Sequence, residues 1–408
     1  MTQDARGAVE AAARISYGRL LAYLSVRSRD LSASEDALSE AFAAALRVWP
    51  VAGVPDRPEA WLLTTARRVL SHGERHHRIR QGAAPMIELA YEEAHARAAP
   101  DFPDERLKLL FVCAHPDIEP AARTPLMLQT VLGLDAGRIA GAFLTSPAAM
   151  GQRLVRAKAR IRDKGLIFEV LGPEAMADRL ADVLSAIYAA YGTGWDAIAG
   201  AEDGVRGLAE EGVFLARLTA ALLPNEPEAN GLFALILYCE ARRPARRDSN
   251  GAFIPLGRQN PKLWVRDLII EAEGLLTRAS RSGVFGRFQT EAAIQSVHVQ
   301  RGVTGVTLTA ALIQLYDLLA SRHPGLGALV SRAAVYADGG KPASGLTFLD
   351  DLPPERVATY QPYWVARAHV LRLLGLAGDA KAALDIAIGL TEDPALQAFL
   401  AKGQGKTD

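Results

Sequence analysis

Between Arg153 and Lys164 the chain sets six cationic side chains, Arg153, Arg156, Lys158, Arg160, Arg162 and Lys164, against one carboxylate, Asp163. The surplus is 6 − 1 = +5 in a chain of 408 residues whose formal charge is zero. Guanidinium and ammonium groups at this density suit phosphate oxygens, whose condensed counterions they displace. The phase of the run matters as much as its charge. Met150, Leu154, Ala157 and Ile161 recur at three- and four-residue steps, the seam of a helix, and leave Gln152, Arg153, Arg156, Lys158 and Arg160 largely on other faces. One face packs and another can meet DNA. The competing reading is an ordinary amphipathic hairpin with a solvated basic face.

The residues before this helix fix how it is held. Leu144-Thr145-Ser146 makes a tight turn, Ser146 is placed to cap the helix, and Pro147 sits at its first position, where the missing N–H costs nothing. Upstream, Ile139, Ala140 and Phe143 share one helical face, so the segment reads as helix, turn and basic helix. Helices around Glu105 to Cys113 and Ala121 to Leu132 complete a four-helix unit ending near Phe168.

An earlier unit runs from about Ala8 to Arg80. It opens with an amphipathic helix through Ile15, Leu20, Leu21 and Leu24, followed by an acidic-faced helix to Ala45 capped by Ser32 or Ser34. Pro58-Glu59 then starts a helix through Trp61, Leu62, Ala66 and Val69, with Arg67, Arg68, Arg75 and Arg78 making its far end basic. Trp61 lies on the apolar stripe, which favours the core over base stacking. His72, His76 and His77 have no carboxylate or Cys at matching spacing, so a solvated or DNA-facing cluster is preferred to a metal site. Residues 81–103, with Pro85, Pro100 and Pro103, read as a linker.

Composition sets the class. Half the residues are hydrophobic, 50%, and Ala and Leu dominate over β-branched and aromatic types, with no alternating stretch of strand length. An all-α protein is expected. The apolar run Leu232 to Cys239 falls far short of the roughly 20 residues that span a bilayer, and the start lacks the apolar block of a signal peptide, so no membrane and a cytoplasmic location are expected. Cys113 and Cys239 are isolated, which supports neither a disulfide framework nor a zinc site. No Walker loop, GxSxG or HExxH is present, so the chain reads as no enzyme, with no cofactor and no metal.

After Gly172-Pro173 the chain becomes successive helices punctuated by Gly and Pro, the clearer ones Arg217 to Leu223, Ala229 to Arg243, Lys262 to Arg278 and Thr309 to Ser321. GKPASGLTFL from Gly340 and GDAKAALDIA from Gly378 align at an offset of 378 − 340 = 38 residues. Gly375, Ala380, Leu384, Ala387 and Pro394 sit near the pattern of a tetratricopeptide repeat, with a generic helical hairpin as the alternative.

Taken in order, SEDALSEAFAAAL (Ser34 to Leu46), VPDRPEAWLLTTARR (Val54 to Arg68), DERLKLLFVCAHP (Asp104 to Pro116), RIAGAFLTSPAAMGQRLVRAKARIR (Arg138 to Arg162), LLPNEPEANGLFALILYCEARRPAR (Leu222 to Arg246) and LTEDPALQAFL (Leu390 to Leu400) resemble bacterial sigma factors of the extracytoplasmic-function type. The subgroup with a long tetratricopeptide-like C-terminal domain is the better match, and the resemblance runs nearly end to end. It implies a region 2 domain over 1–82, a linker over 83–103, a region 4 helix-turn-helix domain over 104–168 and a C-terminal regulatory domain over 169–408. It implies core RNA polymerase as partner, its largest-subunit clamp helices met by Glu35, Asp36, Glu40 and Phe42. Promoter DNA would be met at −10 by Arg67, Arg68, Arg75 and Arg78, and at −35 by Ser146, Gln152, Arg153, Arg156, Lys158 and Arg160. The C-terminal domain would contact the sigma domains in cis. Two departures stand out. The second motif continues as ARRVLSHGERHHRIR, with Gly73 in mid-helix and without the family's asparagine and aspartate, which keeps open a non-initiating scaffold that binds polymerase or DNA. The loop Arg242 to Trp264 keeps Asp248, Gly251, Gln259 and Trp264 but has Asn260-Pro261 where an Asp-Arg pair is usual; it reads as a contact to the sigma domains or a ligand, or as a surface crossover.

Overall fold

A computed structural model of the chain describes residues 2–76, 104–143, 145–168, 173–195, 203–391 and 393–402. Among them all regular structure is helical, apart from one isolated bridge between Arg247 and Phe253. The fold is all-α, as the scarcity of β-branched residues predicts. No helix among the described residues is long and apolar enough to cross a membrane. The chain divides into two compact units, Met1–Asp196 with Glu202–Gly212, and Ala197–Ala201 with Val213–Asp408.

The first unit begins with α1 (Thr2–Ser28), α2 (Leu31–Ala52) and α3 (Pro58–His76), which pack on one another. Leu20, Leu21 and Leu24 of α1, Leu38 and Trp49 of α2, and Trp61, Leu62 and Ala66 of α3 are fully buried. Trp49 and Trp61 meet edge to face with ring centroids 5.5 Å apart, so Trp61 is a core residue. The cap of α2 differs from the serine expected. Asp30 accepts from Ala33 N at 3.0 Å, while Ser34 is buried one turn inside and shares a hydrogen bond with Ser28 at 2.8 Å. The reason is the reversal at Arg29, whose φ of 58° starts the helix so that the cap falls at Asp30, two residues before Ser32. The helix also runs past Ala45, through Pro50, to Gly53, whose φ of 92° ends it. Gly73 does not break α3, which continues to His76.

α4 (Arg106–Cys113), α5 (Pro120–Leu132), α6 (Ala136–Ala142) and α7 (Pro147–Asp163) follow, and α4 and α5 pack directly on α1. Gly133 closes α5 in the left-handed conformation, with its N–H on Gln129 O and the Leu134 N–H on Leu128 O. α8 (Pro173–Trp195) belongs to this unit as well. Arg123 pairs with Asp182 at 2.9 Å, Thr124 donates to Ala186 O at 3.2 Å, and Arg179 donates to Phe111 O at 3.2 Å. The division between the units falls within α9 (Asp203–Leu222).

The second unit is organised by α10 (Pro227–Arg242), buried along almost its whole length between α11 (Arg266–Ser280) and α12 (Arg287–Thr304). Gly231 makes this possible, because a Cβ there would lie 2.6 Å from Gln289 N. Gly286 offers α12 no capping side chain. The carboxylate of Glu228 on α10 does it instead, accepting from Phe288 N at 3.0 Å and Gln289 N at 2.9 Å.

Beyond lie α13 (Thr309–Arg322), α14 (Leu326–Asp338), α15 (Pro342–Asp350), α16 (Pro354–Val357), α17 (Gln361–Leu373), α18 (Ala377–Gly389) and α19 (Pro394–Lys402). The α14–α15 and α17–α18 hairpins turn at Gly340 and Gly375, with φ of 81° and 77°. Their equivalence therefore has an offset of 375 − 340 = 35 residues, not the 38 of the Gly340–Gly378 alignment. The left-handed glycine at the turn is the structural equivalent of Gly340, and Gly378 lies inside α18. In this register Gly345 matches Ala380; a Cβ on Gly345 would sit 2.6 Å from Ala333 O, and Ala380 is a buried small residue of the second hairpin's core.

Candidate nucleic-acid interface

α6 and α7 are set by local chemistry at both starts. Asp135 caps α6 by accepting from Arg138 N at 2.9 Å, and Ser146 caps α7 by accepting from Ala149 N at 3.2 Å, with Pro147 at the first helical position. Ile139 and Ala140 are buried, as are Met150, Leu154, Ala157 and Ile161. That seam fixes the rotation of α7 and turns its opposite side outward.

On that side Ser146, Gln152, Arg156 and Arg160 are exposed and Arg153 is half-buried. Arg153, Arg156, Arg160 and Lys164 have no acidic partner among the described residues, whereas Arg162 pairs with Asp163 at 3.1 Å. The stretch from Gln152 to Arg160 carries no carboxylate and suits phosphate, since a charge already paired would have to be released first.

Lys158 is placed otherwise. Its ammonium lies 2.5 Å from Glu35 on α2, with both side chains 13% exposed. Burial pushes the Glu35 carboxyl above its ordinary range, and the Lys158 charge opposes that rise. The pair joins a residue of the −35 set to one of the polymerase set across 123 positions of sequence. Phe42 is also engaged within the unit, its ring stacked 6.4 Å from that of Tyr17. Asp36 and Glu40 remain exposed on α2.

Of the −10 set, Arg67 is exposed and Arg68 half-buried on α3. Arg75 lies in α3 but its side chain, like those of His72 and His76, is outside the description, and Arg78 and His77 lie outside the described residues. Among the described residues no group of three His, Cys, Asp or Glu side chains is arranged to hold a metal. Cys113 is fully enclosed beside Thr130, and burial pushes its thiol up to about 12.

The loop after α10 is pinned inside its own unit. Asp248 accepts from Asn250 N and Ala252 N, and Gly251 turns with φ of 78°. Arg301 donates to the carbonyls of Leu256, Gly257 and Gln259 and lies 5.4 Å from the centroid of the buried Trp264 ring. Asn260 accepts from Lys262 N at 3.0 Å, the capping role an aspartate would fill. Arg247 pairs with Asp393 at 2.7 Å and Phe253 meets Phe399 edge to face, so α19 and the residue that precedes it cover the loop's tip. Each of these contacts lies within the second unit.

Sequence reasoning missed Asp135 and the Lys158–Glu35 pair. An aspartate directly before a helical stretch was a usable signal for the first. Nothing local marks the second, because both side chains have the chemistry of exposed charge and only tertiary packing brings them together.

A model for a family of unknown function (DUF6596) matches residues 179–280, from within α8 through α11. No solved structure matches the chain. A protein of Rhizobium meliloti (strain 1021), described as uncharacterized protein R00370, is 35% identical over 390 residues, covering 94% of this chain and 91% of that protein. Similarity of that depth over nearly the whole of both sequences includes both compact units, and the chain belongs to the same family as that rhizobial protein.

Proposed function

We propose that the chain is an extracytoplasmic-function-type sigma factor, directing core RNA polymerase to promoters through its first unit and regulated by its fused C-terminal helical domain. The observation that carries this reading is α7: a capped helix behind a short turn, rotated by a buried seam so that Gln152, Arg153, Arg156 and Arg160 project with no acidic partner. Such a helix fits the major groove, with its first turns at base edges and its later cations on phosphate. The exposed Arg67 on α3 and the exposed Asp36 and Glu40 on α2 supply the surfaces that −10 DNA and the polymerase clamp helices require. The 35-residue helical hairpins support a tetratricopeptide-like C-terminal domain, whose repeat is about 34 residues.

Run-off transcription with purified core polymerase and the DNA upstream of the chain's own gene tests the proposal. A defined start that depends on the chain is expected, and a chain ending near Phe168 assigns the sign of the C-terminal effect. The engagement of Glu35 and Phe42 inside the first unit favours one alternative, a polymerase- or DNA-binding scaffold that does not initiate. Binding to core without a transcript on any promoter tested would support that alternative.

A further inference from the structure

We propose that Arg242, His298 and Arg301 form a binding site for a small phosphate-bearing ligand, set between α10, α12 and the crossover of residues 243–265 that joins α10 to α11. The inference goes beyond the sigma-factor reading and needs nothing from the first unit. Arg242 ends α10 and is 8% exposed, and its guanidinium holds only uncharged groups. Its Nε donates to Tyr238 O at 3.2 Å, and its Nη2 donates to Gln295 Oε1 at 2.5 Å and lies 3.8 Å from Cys239 Sγ. Its Nη1 has no partner among the described residues. Gln295, His298 and Arg301 stand on successive turns of α12. Arg301 gives Nη1 and Nη2 to the carbonyls of Gly257, Leu256 and Gln259, and its Nε has no partner among the described residues. His298, one turn from each neighbour, makes no hydrogen bond among the described residues, and burial, then Arg242 and Arg301, lower its pKa to about 4.

The cluster lacks the counter-charge that buried guanidinium groups demand. Carboxylates on the same elements are committed elsewhere: Glu240 of α10 pairs with Arg243 at 2.5 Å, and Glu291 of α12 with Arg287 at 2.9 Å. The crossover's single carboxylate, Asp248, accepts from the N–H groups of Asn250 and Ala252. Trp264, 7% exposed and with its ring 5.4 Å from the Arg301 guanidinium, adds a buried indole N–H that has no acceptor. Arg258, Lys262 and Arg266 are exposed along and just beyond the crossover without an acidic partner among the described residues, and they favour the approach of an anion. His298 and Arg301 are only half-buried, so the cluster can be reached from solvent. Two guanidiniums on different turns and elements, each with donors to spare, match a group that carries about two charges on several equivalent oxygens. A phosphate monoester offers three such oxygens, where a carboxylate offers two and a single charge.

Calorimetric titration of the full chain with inorganic phosphate and with glycerol 3-phosphate tests the proposal, at about pH 7.5, where a phosphate monoester carries close to two charges. One saturable site per chain is expected, at least about tenfold tighter for either phosphate than for succinate, a dianion whose oxygens lie in two separate groups. Arg242→Met should weaken phosphate binding by at least about tenfold. A second readout needs no change at an arginine. The imidazole proton signals of His298, assigned by their loss in His298→Gln, should report a pKa that rises above about 4 at saturating phosphate, because the anion offsets Arg242 and Arg301, the charged groups acting on the ring. A purely structural cluster would leave that titration where it is. Should Arg242→Met fail to fold, the His298 titration decides alone. Absence of saturable phosphate binding overturns the proposal, as does a His298 titration unmoved by saturating phosphate, phosphate binding undiminished in a folded Arg242→Met chain, or succinate bound as tightly as phosphate.

Discussion

Replacing Arg156 by alanine separates a phosphate-facing helix from a merely solvated one. Arg156 is exposed on α7 with no acidic partner, and alanine is at least as good a helix former, so the fold should not notice the change. The four unpaired cations Arg153, Arg156, Arg160 and Lys164 set the electrostatic term, each phosphate contact contributing about −0.9 to the slope of log K against log salt. Their combined share is about −3.6, so binding weakens by roughly 150-fold through them between about 50 and 200 mM salt. Without Arg156 the share falls to about −2.7 and the same change costs roughly 40-fold. Fluorescence anisotropy of a promoter fragment with reconstituted holoenzyme, titrated at several salt concentrations, reads the difference directly, because contacts made by polymerase cancel. An unchanged slope, with thermal unfolding also unchanged, would refute a phosphate contact at this position and return α7 to the solvated reading.

Glu228→Gln keeps one acceptor at the start of α12 but turns an amide donor onto the second backbone N–H, and it removes a charge that the helix terminus favours. A loss of about 2–3 kcal/mol is expected, or roughly 4–12 °C in the transition of the second unit by calorimetry. His298 is held neutral, its pKa lowered to about 4 by burial and then by Arg242 and Arg301. Because the folded value lies below the unfolded one, the unfolded state takes up the proton first as pH falls below about 6.5. The second unit should therefore lose up to about 3 kcal/mol between about pH 6.5 and 4, with no further loss from this group below that; His298→Gln should flatten this part of a urea-stability profile. Trp61→Ala removes a fully buried ring packed on Trp49 and should cost about 3–5 kcal/mol, lowering the urea midpoint of the first unit.

The elements that build the basic helix α7 were legible because they rest on local rules. Ser146, Pro147 and the Met150–Leu154–Ala157–Ile161 seam each act within one or two turns, and each does in the structure what its type and spacing require. Errors arose where a local rule had more than one candidate. Ser32, Ser34 and Asp30 can all cap a helix, and the choice fell to Asp30 because Arg29 takes up a left-handed conformation that neither serine signals. Gly375 and Gly378 can both mark a turn, and only the backbone tells which has positive φ and which is helical. The three-residue slip moves Gly340's partner, and with it the assignment of every small residue in the hairpin. Glu228 was invisible for a different reason, since a carboxylate in the first turn of its own helix gives no hint that it caps another.

The acidic and basic surfaces carry the same lesson to function. In sequence Glu35 stands with Asp36 and Glu40, and Lys158 with Arg156 and Arg160, and charge alone gives each triplet one role. Packing divides them, leaving Asp36, Glu40, Arg156 and Arg160 exposed while Glu35 and Lys158 are buried together. Buried ion pairs seldom add much net stability, because desolvation offsets most of the Coulomb gain, yet losing one partner strands the other at several kcal/mol. A pair of that kind makes a poor adhesive and a good selector between arrangements. Lys158→Ala should therefore destabilise the first unit more than Glu35→Gln, since the first leaves a buried carboxylate unpaired beside Asp36 and the second leaves a neutral amide whose oxygen still accepts from the ammonium. Chemical denaturation of the two variants decides it, and equal losses would mean that the pair is solvated rather than held between the helices.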